Sequence, residues 1–103
     1  MSVLALLTCA FPDHDTAVRI ARMVVEERLA ACANLTPCAS VYRWEGGVEQ
    51  ADEVSAAFKT TLARAPDLAA RIGDLHPYEL PAIEWTPTHA PDAVAAWISA
   101  SVS

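Results

Sequence analysis

Val41-Tyr42-Arg43-Trp44-Glu45-Gly46-Gly47-Val48 reads as two strands turned back on each other at a diglycine. Glycine reaches the positive φ values that a two-residue type I′ turn requires, and β-rich residues flank Gly46-Gly47 on both sides. The strand that leaves the turn is long: from Val48 to Thr61 neither Pro nor Gly interrupts, and Val54, Ala56 and Phe58 alternate with Glu53, Ser55 and Lys59. At about 3.3 Å per residue, roughly fourteen residues span on the order of 45 Å. A compact domain of this length has a radius of gyration near ~13 Å, which as a uniform sphere is about 34 Å across. The hairpin therefore either runs past the body of its own subunit or curls back over the core through a bulge. A projecting ribbon with Tyr42, Trp44, Glu45 and Gly46 at its end leaves unpaired edges and aromatic surface in water, which another copy of the chain would cover. An oligomer built through strand pairing is expected.

Outward from the hairpin, the remaining elements follow from pattern. The apolar run at residues 1–8 predicts a buried first strand. Pro12-Asp13-His14-Asp15 supplies helix-start residues, and Val18, Ala21, Val25, Leu29 and Cys32 recur at spacings of three and four, predicting a first helix to about Cys32. Leu35 to Trp44 is the second strand, where Pro37 requires an edge position or a bulge. Pro66-Asp67 suits the first turn of a second helix with a Leu68, Ile72 and Leu75 stripe, ending before His76-Pro77. A short strand lies between Pro81 and Pro87, and a closing helix from Pro91-Asp92 is expected to bury Val94, Trp97 and Ile98. The order βαββαβ plus a helix predicts an α+β, ferredoxin-like sandwich with a long central β-hairpin and an extra C-terminal helix. Both crossover helices then lie on one sheet face, leaving the other for neighbouring subunits.

The 103 residues fit a single domain, 1–103, and with 53% of them hydrophobic there is enough to bury a core. Thirteen acidic residues against seven basic ones give a net charge of -6, which argues against nucleic-acid or anionic-membrane partners. The amino terminus carries no positive charge and its apolar run is too short for a bilayer or a signal peptide, so a cytoplasmic protein is expected. Cys9, Cys32 and Cys38 form no CxxC pair and are an odd number, which predicts reduced thiols rather than a disulfide framework.

No run of reactive groups is diagnostic: HExxH, GxSxG, a Walker loop, GxGxxG and zinc-finger spacing are all missing from the sequence. Cys9 ends the first strand, and because thiolate favours copper(I) while imidazole suits copper(II) or zinc, Cys9 with His76 is a candidate metal pair. Cys9 also reads as a small core hydrophobe, and Cys32 as part of the first helix's apolar stripe. His76-Pro77-Tyr78-Glu79 brings imidazole, phenol and carboxylate to a proline-restrained turn. The same residues read equally as a helix-ending turn whose His and Tyr cap backbone carbonyls or pack an interface. Lys59 either enters a wet cleft or pairs with a carboxylate such as Glu79, since charges rarely sit buried alone. His14 and His89 read as solvated loop residues, and Trp44 and Trp97 as packing or interface residues.

Taken together, Leu29-Ala30-Ala31-Cys32-Ala33-Asn34, Tyr42-Arg43-Trp44-Glu45-Gly46 with Glu49, Lys59-Thr60-Thr61, His76-Pro77-Tyr78-Glu79-Leu80-Pro81 and Trp97-Ile98 resemble the CutA family of divalent-cation tolerance proteins. The match runs in order from about residue 3 to residue 102. The resemblance implies a ferredoxin-like subunit, a homotrimer in which hairpins extend neighbouring sheets, a cytoplasmic setting, and an architecture similar to the PII signalling trimers. It implies copper-site residues at Cys9 and His76. Two positions depart from the family pattern: Leu75 stands where some relatives carry a second histidine, and Ala82 where relatives commonly carry Glu.

The leading expectation is a non-catalytic homotrimer that binds copper or related divalent ions weakly through Cys9 and His76. A second is a PII-like sensor holding a small anionic metabolite in intersubunit clefts lined by Cys32, Lys59, His76, Tyr78, Glu79 and Trp97. A third is a scaffold that presents surfaces to other proteins. An enzyme is the least supported, because no nucleophile and base can be paired along the chain.

Overall fold

Alternate residues of the first strand face opposite sides of a sheet, and that parity divides the whole molecule. The computed structural model describes residues 2–103; Met1 of the expected first strand lies outside them. The elements are β1 (Ser2–Phe11), α1 (His14–Glu26), β2 (Cys32–Trp44), β3 (Gly47–Thr60), α2 (Ala65–Leu75), β4 (Glu84–Ala90) and α3 (Asp92–Ser101). The sheet order is β2-β3-β1-β4, with every pairing antiparallel, as the ferredoxin-like expectation requires.

On one face Leu7, Cys9 and Phe11 of β1 and Val54, Ala56 and Phe58 of β3 meet Ala17, Ile20, Ala21 and Val24 of α1 and Leu68 and Ile72 of α2 in one buried cluster. Burying a Phe, Leu or Ile side chain is worth about 1.5–3 kcal/mol each, so this layer dominates the stability. A bidentate pair, Arg71 to Glu27 at 2.9 and 2.8 Å, ties α2 to α1 at its rim. The opposite face is not wholly open, as expected, because Leu4, of the other parity, packs with Ala90 and Ile98 under α3. Within α3 only Ile98 is buried; Val94 and Trp97, expected inside, are 40% and 53% exposed.

The hairpin register is unbroken from Cys32↔Lys59 to Trp44↔Gly47. No bulge curls it back, so the alternative of a ribbon folded over its own core is excluded. Residues 41–50 are all exposed, and the chain measures 45 × 24 × 21 Å. Pro37 sits on an edge strand, where its missing N–H costs no ladder bond. The turn falls one residue earlier than the diglycine reading: Glu45 and Gly46 have φ of 49° and 80°, and Gly47 already pairs with Trp44. Glycine's freedom is used at Gly46 alone.

Two other boundaries differ from expectation. α1 starts as read, with the Asp13 carboxylate accepting from the Thr16 N–H at 2.8 Å, but it ends at Glu26. Arg28 turns left-handed at φ 63°, and the N–H groups of Leu29 and Ala30 fold back onto the Val24 carbonyl. Arg28 is held there because its guanidinium donates to the Ala100 carbonyl at 2.9 Å and its own carbonyl accepts from Ser103. Cys32 consequently opens β2 instead of extending a helical stripe, and exposed Val18 lies off the buried one. β4 begins at Glu84 and passes through Pro87 to Ala90, which an edge strand allows. Ile83, expected in that strand, packs against the core ahead of it.

Candidate functional site

His76 caps α2. Its backbone N–H donates to Ile72 at 2.8 Å, and its extended ψ of 137° is what a residue before proline adopts. The side chain is buried, 7% exposed, stacked on Phe11 with ring centroids 4.8 Å apart and tilted against Tyr78 at 4.7 Å. Its Nε2 lies 2.8 Å from the Ala10 carbonyl, which can only accept, so Nε2 carries the proton. Nδ1 then accepts from the Tyr78 N–H at 3.0 Å. Both ring nitrogens are engaged and the imidazole is a neutral, fixed tautomer.

Cys9 contacts the same carbonyl, its Sγ 3.5 Å from the Ala10 oxygen. One backbone acceptor thus gathers both expected metal ligands at the rim of the core. The thiol is 3% exposed, and burial, reinforced by the Glu53 charge, pushes it up to about 12. In this arrangement the pair offers a protonated sulfur and an imidazole without a free lone pair, which is not an open donor set. Among the described residues no three His, Cys, Asp or Glu side chains group around a point that would hold a metal. Leu75, beside His76, packs against the core.

Beyond His76 the chain crosses to the other face and closes a cleft of about 630 Å³ along the hairpin, from Glu53 out to Trp44 beside the turn. Tyr42, Trp44, Glu53, Tyr78, Glu79 and Leu80 line it, with Ala10, Ser40, Pro77 and Ala82 completing the walls. The Tyr78 hydroxyl donates to Glu53 Oε2 at 2.6 Å. Burial, then that bond to a carboxylate, raises the phenol above its ordinary value. Ala82 lies in this wall and brings no polar group to it.

The remaining expected residues sit elsewhere. Cys32 pairs with Lys59 across β2 and β3, and Lys59 with Leu6 on β1, in a row on the face that carries α3 and Trp97. Tyr78 and Glu79 lie by Ala10, four positions further along β1 than Leu6, or about 13 Å. Within one chain the proposed cleft residues form two groups at two ends of one face. Glu53, Leu80 and the Ala10 carbonyl were not singled out by the sequence. Alternation along β3 gives Glu53 a face but not its neighbour, which comes from a loop 25 residues away.

The fold and these groups define an antiparallel ferredoxin-like subunit with a projecting hairpin and a pinned His-Pro-Tyr loop. The chain belongs to the family described as CutA1 divalent ion tolerance protein, whose profile matches residues 5–101. It is 44% identical over 73 residues to the divalent-cation tolerance protein CutA of Pyrococcus horikoshii, covering 71% of this chain and 72% of that one. It is 39% identical over 99 residues to the CutA of Escherichia coli, covering 94% and 88%. Among solved structures, CutA1 from Pyrococcus horikoshii superposes with a TM-score of 0.92 at 32% identity, covering 96% of this chain and 98% of that one. Cut A1 from Thermus thermophilus gives 0.90 at 35%, covering 99% and 100%. A CutA from Archaeoglobus fulgidus, described as periplasmic, gives 0.94 at 28%, covering 99% and 100%. Among the described residues no helix is long and apolar enough to cross a membrane.

Proposed function

We propose that this chain acts as a non-catalytic homotrimer of divalent-cation tolerance in the cytoplasm, meeting copper or a related divalent ion weakly and transiently through Cys9 and His76. The hairpin carries the reading. Its outer ten residues are all exposed, Val41, Tyr42, Trp44 and Val48 among them, and among the described residues the outer edges of β2 and β4 are unpaired. Pairing with neighbouring copies satisfies those edges and covers the rings. Reduced thiols suit the cytoplasm: Cys9, Cys32 and Cys38 are all free.

For the ion, the shared Ala10 carbonyl keeps a sulfur and an imidazole side by side. Binding requires Tyr78 to release Nδ1 and the thiol to lose its proton, and both requirements make it weak and pH-dependent. The same features oppose catalysis, because a protonated thiol and an imidazole with no free nitrogen make no nucleophile and base. Titration of the reduced protein with copper(II) or zinc is expected to show affinity rising with pH and falling in both Cys9→Ser and His76→Ala. Unchanged binding in both variants removes these ligands. The sensor alternative, an anionic metabolite between subunits, requires Lys59 of one copy to meet Tyr78 and Glu79 of another, because within one chain these sit at two ends of the face and the cleft beside Tyr78 offers Glu53 and Glu79 alone as charged groups. A thermal-shift panel of nucleotides and carboxylates is therefore expected to stay flat.

A further inference from the structure

We propose that Lys59 of one copy enters the cleft of its neighbour and forms an ion pair there with Glu53, so that each cleft is completed by a residue from another chain. The inference rests on the homotrimer proposed above and assigns it an electrostatic contact. Lys59 is half-buried on the sheet face opposite α1 and α2, and among the described residues it is in no ion pair. The other basic side chains are either exposed, as Arg19, Arg22, Arg28 and Arg43 are, or paired, as Arg64 is with Asp67 and Arg71 with Glu27. A second copy laid over this face takes Lys59 further out of water, which is costly unless that copy brings a carboxylate.

The carboxylate stands on the same face. Glu53, Ser55, Ala57 and Lys59 share one side of β3, and the cleft around Glu53 and Glu79 has no basic side chain among its lining residues. Glu53 Oε2 accepts from Tyr78, and Oε1 accepts no protein hydrogen bond among the described residues. A carboxylate held in this way joins an ion pair at little ordering cost. Within one chain the two charges cannot meet, because six positions along a strand span about 20 Å, beyond the reach of a lysine side chain. Between them stand only Ser55 and Ala57, small enough for a neighbouring copy to lie close. Complementary patches at two ends of one face let copies join head to tail, each giving one lysine and receiving another, and such contacts close into a ring. Lys59 so engaged is not available to an anionic metabolite.

The test uses the reduced, metal-free full chain and reads the protein concentration at which half of the trimer has dissociated, by sedimentation equilibrium in moderate urea. Lys59→Glu, which sets carboxylate against carboxylate at every interface, is expected to raise that concentration at least about tenfold. Adding Glu53→Lys to the same chain is expected to bring it back to within about threefold of wild type, since the swap restores a pair only between copies. Lys59→Met and Glu53→Gln, the latter keeping an acceptor for Tyr78, are each expected to raise it about tenfold, and together no more than either alone. A trimeric wild type whose dissociation is untouched by Lys59→Glu and Lys59→Met, a swap no better than Lys59→Glu, or additive losses in Lys59→Met and Glu53→Gln overturns the pairing and leaves the homotrimer standing. A monomeric wild type removes both. If a charge-reversed variant fails to fold, the cycle of Lys59→Met and Glu53→Gln decides the matter.

Discussion

Tyr78 is bonded at both ends: its hydroxyl donates to Glu53 at 2.6 Å and its backbone N–H donates to His76 Nδ1 at 3.0 Å. One residue therefore fastens the loop after α2 to the hairpin on one side and to the helix cap on the other. Bonds to charged acceptors are worth about 1.5–3 kcal/mol, but Tyr78 is 39% exposed and water screens part of that. Tyr78→Phe is expected to cost about 1 kcal/mol in urea unfolding, and to cost almost nothing more once Glu53→Gln is present. Additive losses in that double-mutant cycle would show that the two side chains do not interact.

Alkaline pH provides a second check, through Cys9. The folded-state value, about 12, lies above the ordinary 9.0, so within that window the unfolded chain releases a proton that the folded chain keeps. Stability is full below the lower value and falls as pH rises through the window. Tyr78, also raised, contributes the same sign at higher pH. Urea midpoints from pH 8 upward, at fixed protein concentration, are expected to fall more steeply for wild type than for Cys9→Ala. The difference is at most about 1.4 kcal/mol per pH unit. Parallel curves would place the thiol in water.

The turn makes the third prediction. Gly46 has φ +80° and open space where a β-carbon would stand, so the penalty of Gly46→Ala is backbone strain alone, roughly 1 kcal/mol. Gly47 has ordinary strand geometry, and Gly47→Ala is expected to change stability by less than about 0.5 kcal/mol or to raise it. Glu45→Gly, relieving a non-glycine residue at φ 49°, is expected to stabilise slightly. Thermal unfolding of the three variants checks the order; a penalty at Gly47 in place of Gly46 would move the turn back to the diglycine.

Periodicity carried the sequence reading as far as the fold. The alternation Val54, Ala56, Phe58 and the stripe Leu68, Ile72 both sit in the core as their spacing predicts. The element order is the observed one. What periodicity missed was set by tertiary contacts. Arg28 stops α1 because its guanidinium finds the Ala100 carbonyl 72 residues away, so Cys32 passes from helix to strand. The Glu45-Gly46 turn was obscured because Gly46-Gly47 satisfies the same local chemistry one residue on. For the site, His76, Tyr78 and Glu79 were legible from a proline-fixed polar turn. Glu53 and the Ala10 carbonyl were not, since a loop and two strands must meet before either becomes part of a site.

Self-association is the claim on which the rest turns, and the mass of the native assembly tests it most directly. Sedimentation equilibrium or native mass spectrometry of the reduced, metal-free protein at micromolar concentration is expected to give three copies of the 11.0 kDa chain. A folded species that persists at the mass of one chain would contradict it, because the hairpin would then hold its exposed rings and open edges in water without a neighbour.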